Sequence, residues 1–247
     1  MPEMRHGLRA SGAHLRAREV APALSEMQEQ GGRARTRGFL RRDVEEELTD
    51  RISSISVMID HERRLLFIHI ARTGGTSVET ALAGNDWWDI CPESKHISAS
   101  QTRKLYGEHI WQSFVKFSIV RNPWDRLVSM WAAGWWWDDR THLRGIKPLT
   151  FRDFVLTLRP HPNEHYDSLF YHQILDEKLD FVLRFETLKI DFSLMLKQLN
   201  LPDVILPHIQ SRRSWRRVHY RKYFDNESAS LVEKMFESDI SQYGYSF

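Results

Sequence analysis

The chain of 247 residues has one cysteine, Cys91, so it can form no internal disulfide and cannot supply a multi-thiolate zinc site. A reducing, cytoplasmic compartment is the expectation that follows. Also missing is any apolar run near the roughly 18 residues that cross a bilayer, and residues 1–30 hold no signal-like apolar segment. No membrane span is expected. Nor is there an excess of one charge: 35 Lys+Arg stand against 33 Asp+Glu, for a formal +2, which excludes a general nucleic-acid binder that neutralises many phosphates. Any anion site has to be local.

The sharpest shortage is at one end. Residues 1–57 contain ten arginines, no lysine and one aromatic, Phe39, whereas every other Phe, Tyr and Trp lies in 58–247. A stretch so poor in large apolar groups cannot offset its ordering entropy. Two parts are therefore expected: an Arg-rich disordered or loosely helical extension over 1–57, and a folded domain over 58–247 that carries the chemistry.

Within that domain the punctuation is regular. Strands are predicted at Leu65–Ile70, Val115–Val120 and Phe181–Phe185 from short, mostly apolar runs bounded by turn residues. Helices are predicted at Thr76–Leu82, from a Ser98 cap through Tyr106 to a stop at Gly107, from Asn122-Pro123 to about Trp137, at Glu186–Leu199 and at Ser228–Ile240. Strands alternating with helices give an α/β fold whose mostly parallel sheet is covered on both faces.

In such sheets ligands bind beyond the carboxyl ends of the strands, where the next helix offers N–H groups and a positive dipole end. Two strand ends suit an anion. Ile70-Ala71-Arg72-Thr73-Gly74-Gly75-Thr76-Ser77 combines a cation, two glycines that let backbone approach a ligand, and three hydroxyls at a strand-to-helix turn. The bland reading is an ordinary tight turn. The nucleotide-kinase P-loop needs a different spacing and a lysine, so magnesium-nucleotide hydrolysis is disfavoured. The second end, Arg121-Asn122-Pro123-Trp124-Asp125-Arg126-Leu127-Val128-Ser129, puts Arg121 where the strand ends and Ser129 about two helical turns on. Taken alone it reads as a capped helix with surface charges.

Together these segments resemble the sulfotransferases that use 3′-phosphoadenosine 5′-phosphosulfate, in the branch that holds Golgi carbohydrate sulfotransferases and soluble bacterial homologues. Phe67 to Ser77 is similar to the family's 5′-phosphosulfate loop, and Val120 to Ser129 to its 3′-phosphate motif. Phe181 to Asp191 and the ending Tyr243-Gly244-Tyr245 are similar to late family segments. The resemblance implies a P-loop NTPase-like three-layer fold. It also implies transfer of a sulfuryl group from that donor, without a metal, to a hydroxyl of a carbohydrate or glycoconjugate. Arg72, Thr73, Gly74, Gly75, Thr76 and Ser77 would then surround the 5′ end, with Arg121 and Ser129 on the 3′-phosphate. One departure stands out. The family loop usually reads Pro-Lys-Thr, and here it is Ala71-Arg72-Thr73, as in tyrosylprotein sulfotransferases, which have arginine at the similar place. Arginine keeps its proton near neutral pH and so acts as a fixed cationic donor.

A base for the acceptor hydroxyl is the remaining part. Lys95-His96 falls where relatives place a catalytic His or Glu, and imidazole titrates near working pH, which makes His96 the candidate beside Arg72. Its bland reading is a histidine that fixes the turn before Ser98. Glu79, on the helix leaving the loop, is a weaker candidate for the base that could face the site, but is expected rather to be exposed and salt-bridged. Trp131, Trp135, Trp136 and Trp137, like Trp87-Trp88, suit either a buried aromatic cluster or a sugar platform. Arg212-Arg213-Ser214-Trp215-Arg216-Arg217, followed by His219-Tyr220-Arg221, suits an adenine, 3′-phosphate or anionic-glycan contact or an exposed basic loop. His161-Pro162-Asn163-Glu164-His165 matches a zinc-peptidase spacing, but Pro160 and Pro162 oppose the single helical face that motif needs. The rival readings are a phosphotransferase using ATP and magnesium on the same fold, and a non-catalytic nucleotide-binding relative.

Overall fold

The computed structural model describes residues 59–86, 95–134, 150–158, 169–207 and 218–247. The extension expected over 1–57 lies outside them. A two-residue strand β1 (Ile59–Asp60) turns into β2 (Leu65–Ile68), and α1 (Gly75–Ala83) and α2 (Ala99–Ser113) lead to β3 (Val115–Val120). From β3 the chain runs through α3 (Pro123–Ala133), α4 (Phe151–Thr157) and α5 (Tyr171–Ile174) to β4 (Phe181–Arg184). A 3₁₀ turn (Phe185–Thr187) and α6 (Leu188–Gln198) follow, then a second 3₁₀ turn (Tyr220–Tyr223), α7 (Asn226–Met235) and α8 (Glu237–Tyr243).

The four strands form one sheet in the order β1-β2-β3-β4, with β2, β3 and β4 parallel and β1 antiparallel at the edge. Period-two alternation explains how both faces are filled. Leu65, Phe67, Phe117, Ile119 and Leu183 point to one side, against Val78 of α1 and Phe192, Met195 and Leu196 of α6. Leu66, Ile68 and Val120 point to the other, against Ala99 and Trp111 of α2 and Tyr171 and Ile174 of α5. A third apolar cluster joins α3, α4 and α7 through Trp124, Leu127, Phe151, Phe154 and Val232. Each fully buried side chain of this size contributes about 1.5–3 kcal/mol.

The register fixes where chemistry can happen. Leu65 pairs with Val115 and Phe117 with Phe181, so β2, β3 and β4 end side by side and deliver residues 69–74, 121–122 and 185–187 to one edge.

Several predicted boundaries change for local reasons. The first strand stops at Ile68, short of Ile70. The Ser98 helix has its predicted cap, in a capping box with Gln101, but resumes after Gly107, whose φ of 79° kinks it, and runs on to Ser113. The α3 helix stops at Ala133, not near Trp137, because Gly134 takes the left-handed conformation that ends helices. Phe185 opens a 3₁₀ turn instead of ending the strand, and the Ser228–Ile240 helix is two helices broken at Phe236. Helices α4 and α5 were not anticipated. Among the described residues no helix is long and apolar enough to cross a membrane.

Candidate active site

The turn from β2 into α1 is built around backbone that side chains rarely adopt. Arg72 has φ 66° and Gly74 φ 92°, both left-handed. For Arg72 that conformation costs about 1–2 kcal/mol, so neighbouring contacts must hold it. Gly74 precedes α1 without any side-chain hydrogen bond to the helix end, so the first N–H groups of α1 have no side-chain cap. A Cβ on Gly74 would stand 2.9 Å from Cδ2 of Phe185, and one on Gly75 would stand 2.3 Å from the His69 ring. Both glycines are needed for close packing. Thr73 is buried, and its hydroxyl donates to the Ile70 carbonyl at 2.7 Å.

The contacts that hold Arg72 come from the turn between β3 and α3. Arg121 is 2% exposed; its Nη1 donates to the Arg72 carbonyl at 2.9 Å, and its Nε donates to Asp125 at 2.8 Å. Its guanidinium also lies 4.0 Å from the centre of the Phe185 ring. Arg126, equally buried, donates to the Ala71 carbonyl at 3.0 Å and to the Leu169 carbonyl at 2.5 Å. Two buried arginines thus pin consecutive carbonyls of the loop. A trans peptide carries its N–H opposite its C=O, so the N–H groups of Arg72 and Thr73 face away from those guanidiniums. The Arg72 side chain meanwhile reaches across to α3, where Nε and Nη2 donate to the Ser129 hydroxyl at 3.2 and 3.1 Å.

The N-terminus of α3 is closed by its own residues. Asn122 accepts from the N–H of Trp124 at 3.1 Å and of Asp125 at 3.3 Å. The Asn122 N–H donates to Glu186 at 2.7 Å, and its side-chain amide donates to the Ser246 carbonyl at 3.0 Å. Tyr245 donates to the other Glu186 oxygen at 3.1 Å; burial and then that carboxylate push the Tyr245 phenol well above its ordinary range.

Behind the loop lies a buried ionic cluster. Glu79 is 3% exposed, with one oxygen 2.5 Å from His69 Nδ1 and the other 2.9 Å from Lys95 Nζ. Lys95 also pairs with Asp86. Burial, the strongest single influence, pushes the Glu79 carboxyl upward, but His69 and Lys95 together overcome it and hold the group down at about 2. An ionised carboxylate only accepts, so His69 carries its proton on Nδ1. The His69 and His96 rings meet edge to face with centroids 5.0 Å apart.

A match to the sulfotransferase family spans residues 56–246, most of the chain. The chain belongs to the sulfotransferase family. Similarity extends to an Archaeoglobus fulgidus protein described only as uncharacterized, 27% identical over 113 residues that make up 43% of this chain and 85% of that relative. No solved structure matches. The family's chemistry is sulfuryl transfer, and this sulfotransferase is a transferase with a hydroxyl-bearing acceptor.

In this sulfotransferase the two predicted turns meet. Arg72 touches Ser129, and Arg121 touches the Arg72 backbone, while His96 approaches the loop through His69, whose ring packs on Gly75. Glu79 was expected to be exposed and is instead buried, with its carboxylate paired to His69 and Lys95. Arg121 and Arg126, surface charges only if the second turn is taken alone as a capped helix, are buried as well. Sequence reasoning gave no role to His69 or Arg126. His69 sits in an otherwise apolar run and Arg126 between Trp124 and Leu127, a signal that both are buried and therefore engaged. Trp131 packs on Phe151 and Phe154 at centroid distances of 6.1 and 5.6 Å, which favours the aromatic cluster for that residue. Trp87-Trp88, Trp135 to Trp137, His161 to His165 and Arg212 to Arg217 lie outside the described residues.

Proposed function

We propose that this chain is a P-loop-like sulfotransferase that moves a sulfuryl group from 3′-phosphoadenosine 5′-phosphosulfate to a hydroxyl of a carbohydrate or glycoconjugate. The observation that carries the reading is the junction of the two turns, in which the cation of one loop lies on the hydroxyl of the other. The donor has an anionic group at each end, and the site offers matching parts. The side-chain-uncapped start of α1, with Arg72, Thr73, Gly74, Gly75, Thr76 and Ser77, suits the 5′-phosphosulfate. Arg121 and Ser129 lie beside the 3′-phosphate in this reading, one strand over.

Each step then has a residue. In-line attack forms the bond from acceptor oxygen to sulfur while the bond from sulfur to the bridging oxygen breaks, and its electron pair stays on the departing 5′-phosphate. Arg72 neutralises that charge without giving up a proton. His96 takes the proton of the acceptor hydroxyl. No metal enters the scheme.

The experiment is transfer of labelled sulfate from the donor to pooled glycans, lipids and small alcohols, paired with thermal shifts. Adenosine 3′,5′-bisphosphate should raise the melting temperature, and ATP with magnesium should do little. The reverse order of ligands favours the phosphotransferase and sinks the proposal. His96→Ala should lose turnover while keeping nucleotide binding; unchanged turnover removes His96 as base.

A further inference from the structure

The scheme above leaves a costly group of charges unused. Glu79 and Lys95 are 3% and 1% exposed, and removing such ions from water carries a desolvation penalty that a well-packed apolar pair would avoid. What an apolar pair cannot do is tie specific segments in one geometry. Glu79 holds His69 at the end of β2 and Lys95 in the turn before α2, so a single carboxylate on α1 joins three segments. His69 is held on two further sides. Its ring fills the space where a Gly75 Cβ would stand, and its neighbour at 83° and 5.0 Å is the ring of His96. Lys95 precedes His96 directly, so anchoring its ammonium also anchors the backbone that carries His96.

We infer that Glu79 is a positioning residue for sulfuryl transfer, which locks His69 and Lys95 and through them sets the imidazole of His96 beside the phosphosulfate loop. This rests on the reading of His96 as base. Glu79 touches no reacting atom; it acts through two residues that flank the base from either side. The lowered carboxyl of Glu79 agrees, since it stays anionic wherever imidazole can serve as a base. A displaced base costs rate more than affinity, because in-line transfer tolerates little misplacement while the nucleotide is gripped elsewhere.

The test compares the full chain with Glu79→Gln, His96→Ala and the double variant, using kcat, the donor KM, affinity for adenosine 3′,5′-bisphosphate and imidazole nitrogen NMR. Glu79→Gln is expected to lower kcat roughly 10- to 100-fold with nucleotide affinity within about twofold. In the His96→Ala background the same change should cost no more than about twofold further. Glu79→Asp, which keeps the charge, should recover part of the rate, and it serves as the second variant should Glu79→Gln not fold. Wild-type kcat in Glu79→Gln, losses that multiply with those of His96→Ala, or affinity falling as steeply as kcat would each overturn the inference. The NMR arm stands apart from activity. His69 should carry its proton on Nδ1, and the His96 resonances should move in Glu79→Gln; unmoved His96 resonances reject the link. A wild-type chain that neither binds the bisphosphate nor turns over, with those spectra as expected, defeats the functional reading and leaves the positioning intact.

Discussion

The turns that end β2 and β3 sit next to each other and treat the helix that follows in opposite ways. After β2 the helix begins at Gly75 behind a glycine that has no side chain to cap it, with backbone held left-handed at Arg72 and Gly74. After β3 the helix begins at Pro123, and Asn122 satisfies two N–H groups while contacting Glu186 and the Ser246 carbonyl. Asn122 caps one helix, and Gly74 offers the other no capping side chain. The closed end also supplies Arg121 and Arg126, the two buried guanidiniums that hold the open end in its strained shape. Strain at a loop persists only where the surroundings over-determine it. The lesson is that a strained turn can be held by its neighbour, whose buried guanidiniums bond two of its carbonyls.

The comparison can be broken most directly at Arg72. Arg72→Ala should reduce sulfuryl transfer by about 100- to 1000-fold, the usual loss for one charged donor at a developing anion, measured with labelled donor. A near-normal rate would mean that the open end is not where charge develops. Next comes Arg126→Met, which leaves the Ala71 and Leu169 carbonyls without that donor and should cost about 2–4 kcal/mol in urea unfolding. A loss below 1 kcal/mol or so would show that the closed end does not hold the loop.

Gly75→Ala tests the open end by volume. The new Cβ has to displace the His69 ring from 2.3 Å, so affinity for adenosine 3′,5′-bisphosphate should drop at least about tenfold by calorimetry, a penalty of roughly 1.4 kcal/mol. The ion cluster behind the loop is tested by the pH dependence of folding. Glu79 is held at about 2 in the folded chain, below its unfolded value, so its contribution is complete above the unfolded value near 4.5 and is lost as pH falls toward 2. Glu79→Gln should flatten that part of the stability curve, and an unchanged acid limb would deny the ion cluster. The smallest effect is expected at Asn122→Ala, which removes a helix cap and should cost about 1 kcal/mol of stability with bisphosphate affinity nearly unaltered. A large affinity loss there would show that the β3–α3 turn is less self-contained than its hydrogen bonds suggest.

Much of this was legible in the chain because the determinants are local. The Val115–Val120 strand matches its apolar run, and the Ser98 and Asn122 caps appear where their side chains require them. The Arg72 loop and the Arg121 motif are contiguous segments, and their resemblance to sulfotransferase motifs led to the family that the chain belongs to. The misreadings share a cause. Glu79, His69 and Arg126 have polar side chains whose burial depends on partners at distant positions, such as Lys95 for Glu79 and Ala71 for Arg126.

Sequence alone marked the turns after two strands as candidate anion sites and placed most of the elements around them, since periodicity, capping and turn chemistry act over a few neighbours. Only the tertiary structure decided which charges are buried as internal struts, as Arg126 and Glu79 are. Buried ions survive only beside partners, and the parallel register of β2 and β3 brings those partners together across about fifty residues of chain, as the Arg121 bond to the Arg72 carbonyl shows.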